Sequence, residues 1–508
     1  MRAAVRVPQA LRPTPSALKV RSSALARVAL GSSAVGTLLF GVVTAKIAAV
    51  LIGPSGFGYL AIVQGLANGV TVVVGLELGS SLIRFLPGHL GATGLGEARA
   101  HLSVAFRLMV LASVCVGILG VLARDALGPL LFDRPDAATA FMLVVLAGII
   151  YSWAMVLVSI LAAVQAVRAV VLATILSAAS TPVVSAVGYS LSGERATPTI
   201  ALVSSGLSLI ATALVAGRSL RLGILGVVRT RPSWSLTRTV LAFALPKLGG
   251  TLARTATLLA VPLMVQRALG YESAGEYRAA QTISLAFSTI IIVALSHDFF
   301  PRVSQARESS KSFCAVTRDE LVMMSVLSNA FTVVAVLLAP MLVRVLYSAS
   351  FEPIVGLLRT LLLAESLRVG ASVLFLALNV SVGGPWIGLA TLIGPLLMLS
   401  TLPWLIDQAG LGGVGVGTLG AQLVFGGTCG LILVAKTSFR LSPKVLVGLG
   451  LVSAVPIGAV VAAPRVEAWG LALLACGLLA VLALAKATLL QRDEPDVSVR
   501  SAVVMRGR

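Results

Sequence analysis

Continuous apolar runs of about 18 residues or more recur along this chain, and they constrain its fold more than any other feature. In a bilayer core each backbone N–H and C=O must be satisfied within the segment, so such a run is a membrane-crossing helix. The runs do not alternate apolar with polar, which excludes a transmembrane β-barrel. The spans fall near 28–52, 57–83, 104–123, 137–164, 169–192, 198–217, 239–268, 276–297, 321–346, 354–380, 385–406, 411–435, 445–463 and 467–488. The predicted fold class is an all-α polytopic membrane protein with about fourteen transmembrane helices. Only 11% of the residues are charged, against about a quarter in a soluble domain.

The first two spans meet at Gly53-Pro54-Ser55-Gly56-Phe57-Gly58, a turn too short for anything but a hairpin. An offset of 217 positions places Gly53 on Gly270, Gly58 on Gly275 and Gln64 on Gln281, again between two apolar runs. Internal repeats of this kind build many transporter folds. The offset lays span seven on span one. It predicts two six-helix bundles, 28–217 and 239–435, in parallel orientation. A basic linker at 218–238 joins them. A basic tail at 1–27, an appended helix pair at 436–490 and a second tail at 491–508 complete the domain plan.

Loop charge sets the expected orientation. With the N-terminus inside, 27 Lys and Arg fall on the cytoplasmic side and seven outside. The seven are Arg124, Arg134, Arg195, Arg267, Arg278, Arg344 and Arg465. Positive loops stay inside, so both termini are expected in the cytoplasm. The net charge of +20 is spread over loops, which argues for topology and against a nucleic-acid partner. Cys115, Cys314, Cys429 and Cys476 have no spacing that suggests a disulfide framework or zinc site. Tyr59, Tyr189, Tyr271, Tyr277, Tyr347, Trp386, Trp404 and Trp469 fall near span ends, where an interfacial belt is expected.

Several stretches resemble a known family. Leu51-Ile52-Gly53-Pro54-Ser55-Gly56-Phe57-Gly58-Tyr59, Gly75-Leu76-Glu77-Leu78-Gly79 and Leu82-Ile83-Arg84-Phe85 are similar to the opening of bacterial polysaccharide (O-antigen-type) flippases. Leu269-Gly270, Ala274-Gly275-Glu276-Tyr277 and Phe300-Pro301 fit the second half of that pattern. The superfamily also holds multidrug and toxin extruders and lipid II flippases. The resemblance implies alternating access by two bundles and a diphosphate-linked glycan on a lipid carrier as cargo.

Charged residues inside spans are costly and mark candidate sites. Span seven carries Lys247 and Arg254, two helical turns apart and on nearly one face. They suit an anionic headgroup, Arg as a bidentate fork and Lys as a point charge. Lys46, Arg359 and Arg368 are further candidates for substrate binding. Snorkelling is an alternative for Lys46, and an internal pair with Glu365 is one for Arg368. Glu77, Glu365 and Asp298 are candidates for proton or sodium coupling, or counter-ions to those cations. Gln64 and Gln281 read as interhelical hydrogen-bond partners. Gly53, Pro54, Gly58, Pro246, Gly270 and Gly275 are the candidate hinges.

No enzyme is expected. The chain has no Walker A loop, no His-Glu-x-x-His and no nucleophile–base pair, and Gly415-Val-Gly-Thr-Leu-Gly420 lies within a span with no strand before it. Neither a cofactor nor a metal is implied. The expected function is a flippase of the bacterial inner membrane, moving a polyprenyl-diphosphate-linked oligosaccharide by alternating access. Its partners would be the lipid-linked oligosaccharide, the bilayer and other polysaccharide-assembly proteins. The alternatives are a small-molecule exporter of the same superfamily and a non-transporting scaffold of envelope biosynthesis. An exporter would favour an acidic lumen, whereas five of the seven intramembrane charges here are basic.

Overall fold

The computed structural model describes residues 16–91, 95–219, 230, 233–307, 309–382 and 384–462. Among them are twelve α-helices and no strand: α1 (Ser16–Gly75), α2 (Leu78–Gly91), α3 (Leu95–Leu131), α4 (Ala137–Ala163), α5 (Val167–Ser192), α6 (Thr197–Ser219), α7 (Trp234–Ala306), α8 (Ser310–Leu346), α9 (Val355–Ser381), α10 (Gly384–Ala409), α11 (Leu411–Lys436) and α12 (Pro443–Ala462). Ten segments of the described residues are long and apolar enough to cross a membrane. Three of them are pairs of helices, divided at Gly53, Gly193 and Gly270. The chain is a multi-pass all-α membrane protein. The expected span 467–488, both expected tails beyond it and before residue 16, and most of the linker lie outside the described residues.

The repeat-matched glycines are where the two longest helices turn. Gly53 has φ 62° and Gly270 has φ 91°, a region where a Cβ clashes and glycine does not. Pro54 then opens the second arm of α1, where its missing N–H costs nothing. By contrast, α7 keeps helical backbone through Pro246, Gly249 and Gly250. Of the expected hinge positions in α7, the backbone leaves the helical region at Gly270 and keeps it at Pro246.

The two lobes are α1–α6 and α7–α11, with α12 packed mainly on α8. They meet where the second arm of α1 runs antiparallel to the first arm of α7. Along this seam Gly58 faces Tyr271 and Gly275, Gly65 faces Leu258 and Leu259, and Glu77 faces Thr251. A Cβ on Gly65 would stand 2.8 Å from the Leu258 carbonyl oxygen. Small residues let the backbones approach this closely, the usual way helices pack without a hydrophobic drive between them.

The approach is tightest at the glycine turns. A Cβ on Gly58 would fall on the Tyr271 carbonyl oxygen and stand 2.9 Å from the Gly275 nitrogen. One on Gly275 would fall on the Pro54 carbonyl oxygen and stand 2.8 Å from the Gly58 nitrogen. Each turn thus accepts the other, backbone to backbone. The apolar core at this end is shared by both lobes, with Ala48, Phe57 and Ile200 packed among Val265, Ala274, Tyr347 and Phe351. At the other end Leu295, Phe299, Phe313, Val373 and Cys429 form a core that holds no first-lobe residue.

Two expectations need correction. Span two, expected to run unbroken over 57–83, is interrupted: Leu76 and Glu77 sit at φ 46° and 56°, between α1 and α2. Such backbone is costly for non-glycine residues, so the surroundings must hold it in place. The tyrosines also leave the expected belt. Tyr59, Tyr189, Tyr277 and Tyr347 are buried, because their span ends are the ends that pack together. Trp386 and Trp404 remain exposed.

The glycine clasp makes a direct prediction. Gly275→Ala must displace the Pro54 backbone, and overpacking of this kind costs about 1–3 kcal/mol. Gly249, with nothing within 4 Å of its built Cβ, is the control. Thermal unfolding of the purified protein should show a lower midpoint for Gly275→Ala and an unchanged or higher one for Gly249→Ala.

Candidate substrate path between the two lobes

Lys247, Thr251 and Arg254 share one face of α7, since successive steps of three and four residues return to the same side of a helix. The Thr251 hydroxyl crosses the seam and donates to Glu77 Oε1 at 2.7 Å. The break at Leu76–Glu77 carries that carboxylate to the seam. The tight packing of Gly75 and Gly79 on Ser152 and Ser159 of α4 fixes the helix on both sides of it. Glu77 is therefore held by a hydroxyl, not by a cation.

One turn before Thr251, the Lys247 ammonium lies 4.5 Å from the centre of the Phe243 ring. The Arg84 guanidinium, from α2 of the other lobe, lies 4.5 Å from the same centre. Phe85 meets Phe243 edge-on at 5.5 Å. One aromatic ring thus carries two cations, one from each lobe, an arrangement worth about 0.5–1 kcal/mol per cation at an exposed site. Arg84, Lys247 and Arg254 are exposed, and none forms an ion pair with a carboxylate among the described residues.

Towards the glycine turns a second polar group bridges the lobes. Arg278 donates through Nη2 to Gln64 Oε1 at 2.7 Å and through Nη1 to Gln281 Oε1 at 3.0 Å. Gln281 donates in turn to the Tyr277 hydroxyl at 2.6 Å. The two glutamines matched by the repeat therefore meet on one guanidinium. Beyond them, Arg134 stacks over Tyr59 at 4.2 Å and pairs with Glu194 at 2.5 Å. The Asp133 N–H donates to the Tyr271 hydroxyl at 3.2 Å. Burial pushes the Tyr347 phenol up to about 12, so it stays a neutral donor to the Ala279 carbonyl at 3.3 Å.

With this geometry in place, the comparisons can be read. The family model described as polysaccharide biosynthesis protein matches residues 47–356. The chain belongs to the polysaccharide biosynthesis protein family. No curated protein matches it. Among solved structures, an inward-facing multidrug resistance MATE family transporter of the MOP superfamily is similar at 16% identity, with a TM-score of 0.66, over 78% of this chain and 95% of that one. The lipid II flippase MurJ in an inward closed conformation is similar at 14% identity, with a TM-score of 0.66, over 92% of this chain and all of that one. A MATE structure in a bent conformation follows at 16% identity and 0.54, over 82% of this chain and 99% of that one. The fold of this family member is similar to those of these MATE transporters and of MurJ.

The remaining candidates of this polysaccharide biosynthesis protein lie away from the seam cations. Lys46 donates to the Val345 carbonyl at 2.6 Å, capping the end of α8 in the other lobe. Arg359 is buried and donates to the Val336 carbonyl at 3.2 Å. Glu365 is buried and accepts from Ser288 and from Arg368, each at 2.5 Å, while Arg368 also donates to Ser288. The side chain of Asp298 lies outside the described residues. Arg84 and Arg278 were counted from hydropathy among loop charges; their neighbours Phe243 and Gln64 bring them into the path.

The Glu365–Arg368 pair predicts a stability pattern. Removing one partner strands a buried charge and costs about 3 kcal/mol or more, whereas removing both leaves an apolar contact that costs far less. Arg368→Met should lower the unfolding midpoint more than Arg368→Met combined with Glu365→Leu, measured on the purified protein.

Proposed function

We propose that the protein is a flippase of the bacterial cytoplasmic membrane. It moves a polyprenyl-diphosphate-linked oligosaccharide from the inner to the outer leaflet, with the glycine turns outward and both termini inside. The observation that carries this reading is the set of cations at the seam, Arg84, Lys247 and Arg254, which pair with no carboxylate among the described residues. Charge of one sign is expensive in a membrane unless a ligand or an aqueous cavity compensates it. A diphosphate supplies that compensation: Arg grips phosphate in a fork and Lys adds a point charge. The basic excess in the loops at the other end supports the orientation. One structural neighbour is a lipid II flippase, and a lipid-linked precursor as cargo follows that precedent.

In this reading the lobes rock about the seam. The glycine clasp closes one end, and towards the other Val240 and Phe243 of the second lobe pack on α2 and α3 of the first beside the cations. Coupling comes from the membrane potential acting on the charged cargo or from a cation exchanged at Glu77, whose carboxylate has no ionic partner among the described residues.

Complementation of a flippase-deficient strain tests the proposal, with wild type beside Arg254→Ala and Lys247→Ala at matched membrane levels. A hydrogen bond to a charged group is worth about 1.5–3 kcal/mol, so each variant should lose roughly tenfold or more of surface glycan export. Restoration by all three proteins would remove the site. Failure of wild type across several glycan backgrounds would remove the flippase.

A further inference from the structure

Arg278 presents an uncommon balance of charge. It is half-buried between the lobes, three residues past the clasp at Gly275 and about one helical turn along α7. Its acceptors are two neutral amide oxygens, from Gln64 and Gln281. No carboxylate pairs with it among the described residues, and Glu365, in the same lobe, is already held by Arg368 and Ser288. A half-buried cation held by neutral dipoles is undercompensated, and an anion would hold it better than either amide.

The repeat shows that this position is set apart. The 217-residue offset that matches Gln64 with Gln281 places Ala61 opposite Arg278. Ala61 is buried, so the first lobe packs a small apolar side chain where the second carries a charge. The guanidinium is thus a charged group that bridges the lobes near the clasp, and Gln64 is its link to the first lobe.

We infer that Arg278 is a second phosphate-binding site, and that a lipid diphosphate reaching it displaces Gln64 and so frees the glycine clasp to open. The inference rests on the flippase reading and adds to it a switch. A phosphate gripped through the Nη1–Nη2 edge competes for the donors that now hold the two amides, Nη1 to Gln281 and Nη2 to Gln64. Arrival of cargo and loss of the cross-lobe link are then a single exchange of hydrogen bonds. The arrangement couples the ligand to a two-state interface by differential contacts, as a ligand-driven shift requires.

The test uses the full chain with its four cysteines replaced and Ala274→Cys added, reconstituted in vesicles. Ala274 is fully buried beside the clasp, so maleimide labelling there reports opening. Farnesyl diphosphate is the probe, with farnesol and inorganic pyrophosphate as separate arms. Farnesyl diphosphate should raise the labelling rate several-fold and farnesol should not; a response to pyrophosphate as well assigns the effect to the phosphates alone. Gln64→Leu should raise labelling without any ligand, and Arg278→Gln should abolish the response. A response to farnesol equal to that of farnesyl diphosphate overturns the site, as does a response that survives in Arg278→Gln. If the parent complements a flippase-deficient strain yet shows no labelling response, the Arg278 site falls and the flippase stands. If labelling responds but no strain is complemented, the flippase reading falls and a phosphate-gated clasp remains.

Discussion

The close backbone approach of Gly58 and Gly275 is the contact on which the rest of the structure depends. It brings the two turns together with no side chain between them. That contact sets the register of the seam: once Gly58 lies on Tyr271, antiparallel helices carry Gly65 to Leu258 and Glu77 to Thr251. Around it Phe57 meets Tyr347 and Phe351 of the other lobe edge-on, so aromatic packing holds this end together with the backbone approach. Within a bilayer no hydrophobic drive between helices adds to that packing.

Charge is distributed in keeping with that division. Several charged groups inside the lobes are paired, Arg134 with Glu194 in the first and Glu365 with Arg368 and Arg302 with Glu320 in the second, while the buried Arg359 bonds a carbonyl. These pairs lie within one lobe and need not change when the lobes move. At the seam the cations Arg84, Lys247, Arg254 and Arg278 have ring faces, amides or open space as neighbours. Breaking a buried pair on each cycle would carry a large penalty. Leaving the seam cations unpaired avoids it and reserves the compensation for a ligand.

Much of this was legible from hydropathy and from one offset. The apolar runs marked the crossing helices, and Gly53, Gly58, Gly270 and Gly275 marked the turns, because only a left-handed backbone and a close contact call for glycine at those points. What could not be read was direction. In a helix that is apolar all round, the lipid face and the core face have the same composition, so periodicity does not say which way a residue points. Depth alone therefore places Tyr59 and Tyr277 at the interface, although both are buried in protein. Arg278 was assigned to an outer connector for the same reason. The break at Leu76–Glu77 was hidden because nothing in a run of Val, Gly and Leu signals a left-handed backbone; the contact of Glu77 with Thr251 reveals its purpose.

The departure from symmetry at Arg278 follows from electrostatics. A faithful repeat would place a second arginine at position 61, where Ala61 is buried. Like charges at about 4 Å repel by about 4 kcal/mol even at an effective dielectric of 20, so two cations close to the boundary would oppose each other. A single arginine shared by two symmetry-matched glutamines avoids that repulsion and keeps a contact from each lobe. Duplicated lobes can thus preserve their turns and amides while the charge between them is carried by one lobe alone, which makes that residue answer to both.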